Sequence, residues 1–153
     1  MCIRDRYYSE HINLDILRIF TVYGPNQKNM LIPNLIKLVV EGQTVQLASG
    51  VGPSFSPIYI EDIIKILEIL VFENYDHKQR FRIMNVCSDQ IKTLSQIVSD
   101  IEKITGITAL RECTEGKPSK FVGSNTLLKS ILSDFKFTDF KVGLRKAIEQ
   151  RKS

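Results

Sequence analysis

Two adjacent acidic residues, Glu61 and Asp62, open a long apolar run and are the first candidates for acid–base chemistry in this chain. A pair of carboxylates can supply a general acid and a general base when both face one cleft. The apolar run that follows predicts a helix, however, and neighbouring helical residues point in different directions. The pattern therefore favours an N-cap or first-turn carboxylate at Asp62 over catalysis.

Thiols and imidazoles are the other groups that could bind a metal or act as nucleophiles. The cysteines are Cys2, Cys87 and Cys113, an odd number with no Cys-x-x-Cys spacing. This favours buried or idle thiols over a disulfide or a zinc site. The two histidines, His11 and His77, are far apart in sequence, which does not favour a histidine metal site. We predict no metal ligands and no catalytic residues from these groups.

The net charge of +4 is unevenly distributed along the chain. Residues 111–153 carry ten Lys/Arg and five Asp/Glu, whereas residues 1–110 carry eleven and twelve. A basic segment can attract phosphates or nucleic acid. This one lacks the interleaved aromatic residues of a single-strand binding platform, so a solvated helical face is favoured over a nucleic-acid partner.

Length and composition indicate one soluble domain. The chain has 153 residues, of which 43% are hydrophobic and 25% charged. No apolar run is long enough to span a bilayer, so we expect no membrane partner. Residues 1–6 lack the apolar core of a signal peptide, which makes the cytoplasm the expected compartment. We interpret residues 1–6 as a non-native scar and residues 7–153 as the domain.

Alternating strand and helix patterns predict the α/β class. The predicted strands are Leu14–Val22, Thr44–Ala48 and Phe81–Val86. The predicted helices are Leu31–Glu41, Glu61–Glu73, one that starts after Thr93 and stops at Gly106, Thr126–Leu132 and Asp139–Arg151. The predicted loops are Ser49–Pro57 and Glu115–Ser119.

Three details of these elements can be checked directly. Thr93 and Gln96 have the spacing of a capping box. The helix Glu61–Glu73 is apolar almost all round, which predicts burial on most sides. Arg18 lies within a strand that should be buried, so it should form a structural ion pair. A parallel sheet needs neighbouring strands and cover on both faces, and the sequence predicts only two long strands of that type. We therefore also expect an exposed sheet edge and an exposed apolar face.

Two sequence blocks resemble a known family. Residues 17–25 read Leu-Arg-Ile-Phe-Thr-Val-Tyr-Gly-Pro, and residues 57–62 read Pro-Ile-Tyr-Ile-Glu-Asp. With the strand Met84–Val86 and the closing Gly143-Leu144-Arg145, they resemble the C-terminal half of an extended short-chain dehydrogenase/reductase of the NAD-dependent epimerase/dehydratase family. The resemblance covers the chain from about Tyr8 onward.

The resemblance implies a partial fold. It implies the last strands of the parallel sheet of a Rossmann-type domain, followed by the small C-terminal substrate-binding α/β subdomain. The family's glycine-rich dinucleotide loop and its Tyr-x-x-x-Lys dyad do not occur in the sequence: Tyr7 and Tyr8 are followed four residues on by His11 and Ile12. We therefore expect the isolated chain to be inactive and not to hold NAD or NADP tightly.

The resemblance also implies site residues. Phe20, Thr21 and Val22 would line the cofactor. The substrate would be contacted by Thr21, Met30, Leu31, Gln46, Ala48 and Phe55. Many family members have Asn where this chain has Thr21, and a hydroxyl lacks the second donor of an amide.

Three positions depart from the pattern of sugar-nucleotide enzymes. Phe55 replaces an Arg that clamps the diphosphate, Ala48 replaces an aromatic residue that stacks on the base, and Met30 replaces a polar side chain. A guanidinium fork is suited to binding a diphosphate, and that group is lost here. The three replacing residues would make the pocket more apolar. Substitute positive charge could come from Lys28, Lys117 or Lys120.

Two functions remain open at this point. The first is the substrate-binding half of an NAD(P)-dependent epimerase, dehydratase or reductase that acts by transient hydride transfer, with a nucleotide-activated sugar or another anionic small molecule as substrate. The second is a non-catalytic binding or assembly module with an anion-binding surface. A homo-oligomer is compatible with both.

Overall fold

The computed structural model describes residues 13–72 and 81–150. Among these residues the strands are β1 (Leu14–Ile19), β2 (Val22–Tyr23), β3 (Thr44–Ala48), β4 (Ser54–Phe55), β5 (Ile58–Tyr59), β6 (Phe81–Val86), β7 (Lys92–Thr93), β8 (Leu110–Thr114) and β9 (Lys120–Phe121). The helices are α1 (Leu31–Val40), α2 (Ile60–Phe72), α3 (Leu94–Thr105), α4 (Thr126–Ile131) and α5 (Phe140–Glu149). The chain is of the α/β class, as predicted.

Strands β1 and β6 form a parallel pair in which Leu14 lies opposite Phe81 and Ile19 opposite Val86. These are the two long strands that the sequence predicted. The predicted strand Leu14–Val22 is too long, however, because the chain leaves β6 after Ile19. It then pairs through β2 with β5, so two partners divide one apolar run into two strands.

The remaining strands pair further along the chain. Strand β3 has the predicted bounds and pairs in parallel with β8. Strand β4 lies between β7, which is antiparallel to it, and β9, which is parallel. The sequence pattern predicts a loop at Ser49–Pro57, where β4 forms, and predicts no strand at β7, β8 or β9. Strands β4, β7 and β9 have two residues each and carry no periodicity, whereas the five-residue β8 is exposed along almost its whole length and so shows no buried face.

Two hydrophobic clusters hold these elements together. One joins α1, α3 and α5 to β3, and the other joins α2 and α4 to β6. Ile60, at the start of α2, packs against both. The buried face of α1 consists of Ile32, Leu35, Ile36 and Val39, whereas Leu31 and Leu38 are only half-buried. The core face of α1 is thus centred on Ile32, Leu35, Ile36 and Val39.

The ends of α3 follow the predicted signals. The hydroxyl of Thr93 accepts a hydrogen bond from the backbone N–H of Gln96, and the Gln96 side chain accepts one from the backbone N–H of Thr93. Gly106 ends the helix with φ of +74°, a conformation that glycine adopts without steric cost. The capping box and the stop signal are both confirmed.

The buried arginine is not the one that was predicted. Arg18 is exposed, so the predicted ion pair beneath the cleft is wrong. In the β1–β6 sheet the buried guanidinium is instead that of Arg82, which forms two hydrogen bonds with the carboxylate of Asp15, at 2.7 and 2.5 Å. Arg82 lies opposite Asp15 and Arg18 lies opposite Asn85, three positions further along, so the two arginines project from opposite faces of the sheet.

Helix α2 differs most from its predicted environment. Its buried residues are Asp62, Ile63 and Ile66, whereas Val71 and Phe72 are 68% and 81% exposed. Burial on most sides is therefore wrong for the described residues of α2, several of which expose apolar side chains. Between residues 13 and 150, outside the gap at 73–80, no helix is long and apolar enough to cross a membrane.

Candidate functional site

The candidate site is the edge where β1 and β6 end. The backbone N–H of Phe20, just after β1, donates to the carbonyl of Val86 at 3.1 Å, and Cys87 follows on the other strand. Because the two strands are parallel, their carboxyl ends meet at the same edge. Ligands of α/β sheets bind outside this edge.

A segment from Phe121 to Asn125 is fixed across this edge. The thiol of Cys87 donates to the Gly123 carbonyl at 3.4 Å, and the side-chain amide of Asn85 donates to the Ser124 carbonyl at 2.9 Å. The Asn125 amide donates in turn to the carbonyl of Cys87 at 2.9 Å. Three contacts with consecutive residues therefore hold this segment against the end of β6.

Aromatic side chains line the segment. The Phe20 ring packs on Gly123, where an added Cβ would lie 2.6 Å from the ring, so only glycine fits without displacement. Two residues earlier, Phe121 stacks on Phe55 with ring centroids 5.6 Å apart and planes at 10°. We call Phe20, Phe55 and Phe121 the aromatic wall. It joins two residues that the resemblance had assigned separately, one to the cofactor and one to the substrate.

Thr21 and Ser56 are the polar residues that follow Phe20 and Phe55 in sequence. Thr21 is half-buried, and its carbonyl accepts from the Ile58 N–H at 2.9 Å, which leaves the hydroxyl as its polar contribution to a site. Ser56, adjacent to Phe55, is 1% exposed, and its hydroxyl has no hydrogen-bond partner within the part of the chain that the structure describes. A buried hydroxyl without a partner is unfavourable, which marks Ser56 as a position to test.

The other predicted substrate residues lie on different elements. Met30 is exposed and Leu31 half-buried at the start of α1. Gln46 and Ala48 lie on β3, where Gln46 donates to Glu112 of β8 at 3.4 Å. The structure thus brings Phe20, Thr21, Val22 and Phe55 together around β2, β4 and β5, and places the other four on α1 and β3.

The three lysines proposed as substitute charges are separated in the fold. Lys120 lies on β9 opposite Ser54, one residue from the Phe55–Phe121 stack. Lys117 lies in the preceding loop, and Lys28 lies in the turn before α1. Of the three, Lys120 is the one whose backbone position adjoins the aromatic wall.

Residues 4–87 match the family model described as "NAD dependent epimerase/dehydratase family". This is more than half of the chain. The chain belongs to the NAD-dependent epimerase/dehydratase family.

Solved structures share the fold. UDP-glucuronic acid 4-epimerase from Bacillus cereus, in complex with UDP-glucuronic acid and NAD, is 24% identical with a TM-score of 0.80, over 96% of this chain and 48% of that one. dTDP-glucose 4,6-dehydratase from Bacillus anthracis is 18% identical with a TM-score of 0.77, over 96% and 47%. UDP-glucose 4-epimerase from Thermus thermophilus, complexed with NAD, is 18% identical with a TM-score of 0.75, over 96% and 50%.

The chain therefore spans about half the length of these structures. No curated protein matches it by sequence. At these identities the structural likeness establishes the fold, here the partial Rossmann-like architecture of this epimerase/dehydratase family.

The segment 121–125 was missed by the sequence analysis. A signal for it exists: Gly123 follows two apolar residues, Phe121 and Val122, and stands between a polar loop and a helix. An isolated glycine in such a position indicates a close backbone approach. Its partner, Phe20, lies about a hundred residues away, so the sequence could not identify what approaches.

Titratable groups near the edge are held in defined states. The Asn125 amide donates to Asp89 at 2.9 Å and Lys129 pairs with the same carboxylate at 3.1 Å; these contacts hold the pKa of Asp89 below its usual value. Burial, with the charge of Asp89 added, raises the pKa of the Cys87 thiol. Since a nucleophilic cysteine needs a lowered pKa, Cys87 is suited to packing and not to attack.

The tyrosines of the two family blocks are core residues. Burial, followed by a hydrogen bond to Glu61, raises the pKa of Tyr59 to about 12. Burial also raises the pKa of Tyr23, whose hydroxyl donates to the Phe140 carbonyl at 3.3 Å. Neither is a phenolate base at neutral pH. Tyr7 and Tyr8 lie outside the described residues.

Proposed function

We propose that this chain is the substrate-binding half of an NAD(P)-dependent epimerase or dehydratase that acts by transient hydride transfer on a nucleotide-activated sugar. The observation that carries the proposal is the family match combined with the position of Phe20, Thr21 and Val22 beyond the carboxyl end of β1. That end of a parallel strand is where α/β enzymes bind their ligands.

The residues present suit one end of the cofactor. Phe20 and Val22 are half-buried apolar side chains that can pack against a flat ring, and the Thr21 hydroxyl can donate one hydrogen bond. When bound, a nicotinamide cofactor supplies the transient hydride acceptor. The sequence has no glycine-rich loop for the pyrophosphate, so we expect weak NAD binding and no turnover from these 153 residues alone.

The substrate side is more apolar than the usual diphosphate clamp. Phe55 is 9% exposed and committed to its stack on Phe121, so it offers no charge to a diphosphate. Lys120, next to Phe121, is the group that we propose supplies it, as a single point charge and not a bidentate fork. The UDP-sugar complexes among the structural neighbours support a nucleotide-sugar ligand.

The test is calorimetric titration of NAD into the 153-residue chain, alone and together with a separately expressed NAD-binding half of the family. We expect tight binding only in the second case, followed by activity on UDP-sugars. Thr21→Val, which keeps the side-chain shape and removes the hydroxyl, should weaken NAD binding by the reconstituted protein. Thr108→Val, at an exposed position outside the site, should leave NAD binding unchanged. Tight NAD binding by the chain alone would overturn the proposal.

A non-catalytic assembly module is the second candidate, favoured by the exposed apolar residues of α2. It predicts that the NAD-binding half adds neither cofactor binding nor activity. Self-association that persists in the presence of that half would then be the expected observation.

A further inference from the structure

A cavity of about 380 Å³ lies between the turn that precedes α1, helix α1 itself and the end of α5. We call it the α1–α5 cavity. Its lining consists of Gly24, Asn26, Gln27, Lys28, Asn29, Ile32, Pro33, Asn34, Ile36, Lys37, Ala147 and Gln150. Taking about 30 Å³ for each water, this volume corresponds to about thirteen waters, which is ample for a monosaccharide. It also falls within the usual range for small-ligand pockets.

The α1–α5 cavity is separate from the site at the sheet edge. Among the described residues, its lining includes none of those that the family resemblance assigns to cofactor or substrate, although it includes Lys28, one of the three lysines considered as substitute charges. Leu31, a predicted substrate residue, and Pro33, which lines the cavity, are about 200° apart around the axis of α1. Leu31 therefore lies on the other side of α1 from Pro33.

The lining is positively charged and rich in amides. Lys28 and Lys37 contribute two ammonium groups, and no carboxylate is present among the described residues of the lining. The side-chain oxygen Oε1 of Gln27 is buried and has no hydrogen-bond partner within the described residues. A buried acceptor without a partner costs free energy, so this oxygen lowers the stability of the free protein.

The turn that presents these amides has an unusual backbone. Asn26 and Asn29 have φ of 60° and 57°, in the left-handed region that non-glycine residues rarely occupy. Such conformations persist when the surrounding structure fixes them. The turn leads into α1 and contributes Asn26, Gln27 and Asn29 to the lining of the cavity.

We propose that the α1–α5 cavity binds a small polyhydroxylated anion of monosaccharide size, a sugar acid or a sugar phosphate. The amides, each with a donor and an acceptor side by side, suit neighbouring hydroxyls. The two lysines suit the carboxylate or the phosphate. Ile32, Ile36 and Ala147 are apolar residues of the lining and are themselves buried. This site is additional to the nucleotide-sugar function and does not depend on it.

The experiment is isothermal titration of the 153-residue chain with four probes: glucuronate, glucose 6-phosphate, glucose and inorganic phosphate. We expect saturable binding of at least one hydroxylated anion, about ten-fold tighter than glucose or phosphate, because those probes each lack half of the contacts. Preference for glucuronate would identify a sugar acid, and preference for glucose 6-phosphate a sugar phosphate. If neither exceeds inorganic phosphate, the proposal is wrong.

Three variants locate the binding. Lys37→Gln should weaken it about ten-fold by removing one charged contact, whereas Lys103→Gln, an exposed lysine at the end of α3, should not. Gln27→Leu should also weaken binding, yet leave the thermal midpoint of the free protein unchanged or higher, because it removes the unpartnered oxygen. Binding by Lys37→Gln and Gln27→Leu equal to that of Lys103→Gln would overturn the proposal. Should Gln27→Leu not fold, Lys37→Gln alone decides.

Discussion

The carboxylate of Asp62 ties the first turn of α2 to the chain that leads into α5. It is 1% exposed and accepts two hydrogen bonds from Thr138, one from the backbone N–H at 2.8 Å and one from the hydroxyl at 2.7 Å. Asp62 lies in the first turn as predicted, but its hydrogen bonds go to a residue 76 positions away and not to its own helix. We therefore predict that this pair is worth more to stability than an ordinary helix cap.

The magnitude follows from the two bonds. A hydrogen bond to a charged group contributes about 1.5–3 kcal/mol, so Thr138→Val should lower the free energy of unfolding by about 2 kcal/mol. Thr138→Ser keeps the hydroxyl and should cost well under half of that. Asp62→Ala removes both hydrogen bonds and leaves two donors of Thr138 without an acceptor. The free energy of unfolding should therefore fall by about 3–5 kcal/mol.

Urea unfolding followed by circular dichroism measures these values. With a slope of about 1–3 kcal/mol per molar, a loss of about 2 kcal/mol shifts the midpoint by about 1 M. The double mutant Asp62→Ala/Thr138→Val should be less destabilised than the sum of the single mutants by about 2 kcal/mol, since each removes the same bond. A coupling near zero, or Thr138→Val equal to Thr138→Ser, would refute the reasoning.

Three further predictions concern packing, pH and exposed surface. Gly143→Ala places a Cβ 2.6 Å from the hydroxyl oxygen of the buried Tyr23. The overpacking should cost about 1–3 kcal/mol, more than the gain of up to about 1 kcal/mol in helix propensity. The urea midpoint of unfolding should therefore fall. Because Tyr59 holds its proton to about pH 12 when folded but only to about pH 10 when unfolded, stability should fall between these values, and Tyr59→Phe should flatten that fall in alkaline urea titrations. The wild-type chain should enhance the fluorescence of a hydrophobic dye, and Val71→Lys/Phe72→Lys should reduce the signal without changing the urea midpoint; a silent wild type would contradict the exposed apolar face.

Short-range sequence signals predicted the elements of this fold that depend on short-range interactions. Strand β3 has its predicted bounds, and α3 has its capping box and its glycine stop, because each depends on residues within a few positions of one another. The division of Leu14–Val22 between two partners could not be predicted in this way. It depends on β5 and β6, which lie some forty and sixty residues further along the chain.

The candidate site also depends on contacts between residues that are distant in sequence. Sequence blocks identified Phe20 and Phe55 as separate site residues, one near each block. The structure joins them through Phe121 and Gly123, which lie on one short segment that returns to the sheet edge. Two-residue strands and a single glycine specify that return, and neither gives a periodic signal. The aromatic wall is thus a property of long-range pairing.

The apolar pattern of helix α2 is only partly accounted for by contacts among the described residues. Its residues are apolar almost all round, a pattern that fits burial on every side. The described residues bury one side, through Ile63 and Ile66, and leave Ile64 and Leu67 49% and 40% exposed. The β1–β6 pair is likewise parallel but has only two strands among the described residues, whereas parallel sheets are ordinarily wider and covered on both faces. Both features are explained if further structure packs against α2 and this sheet, and the proposed reconstitution with an NAD-binding half would supply it.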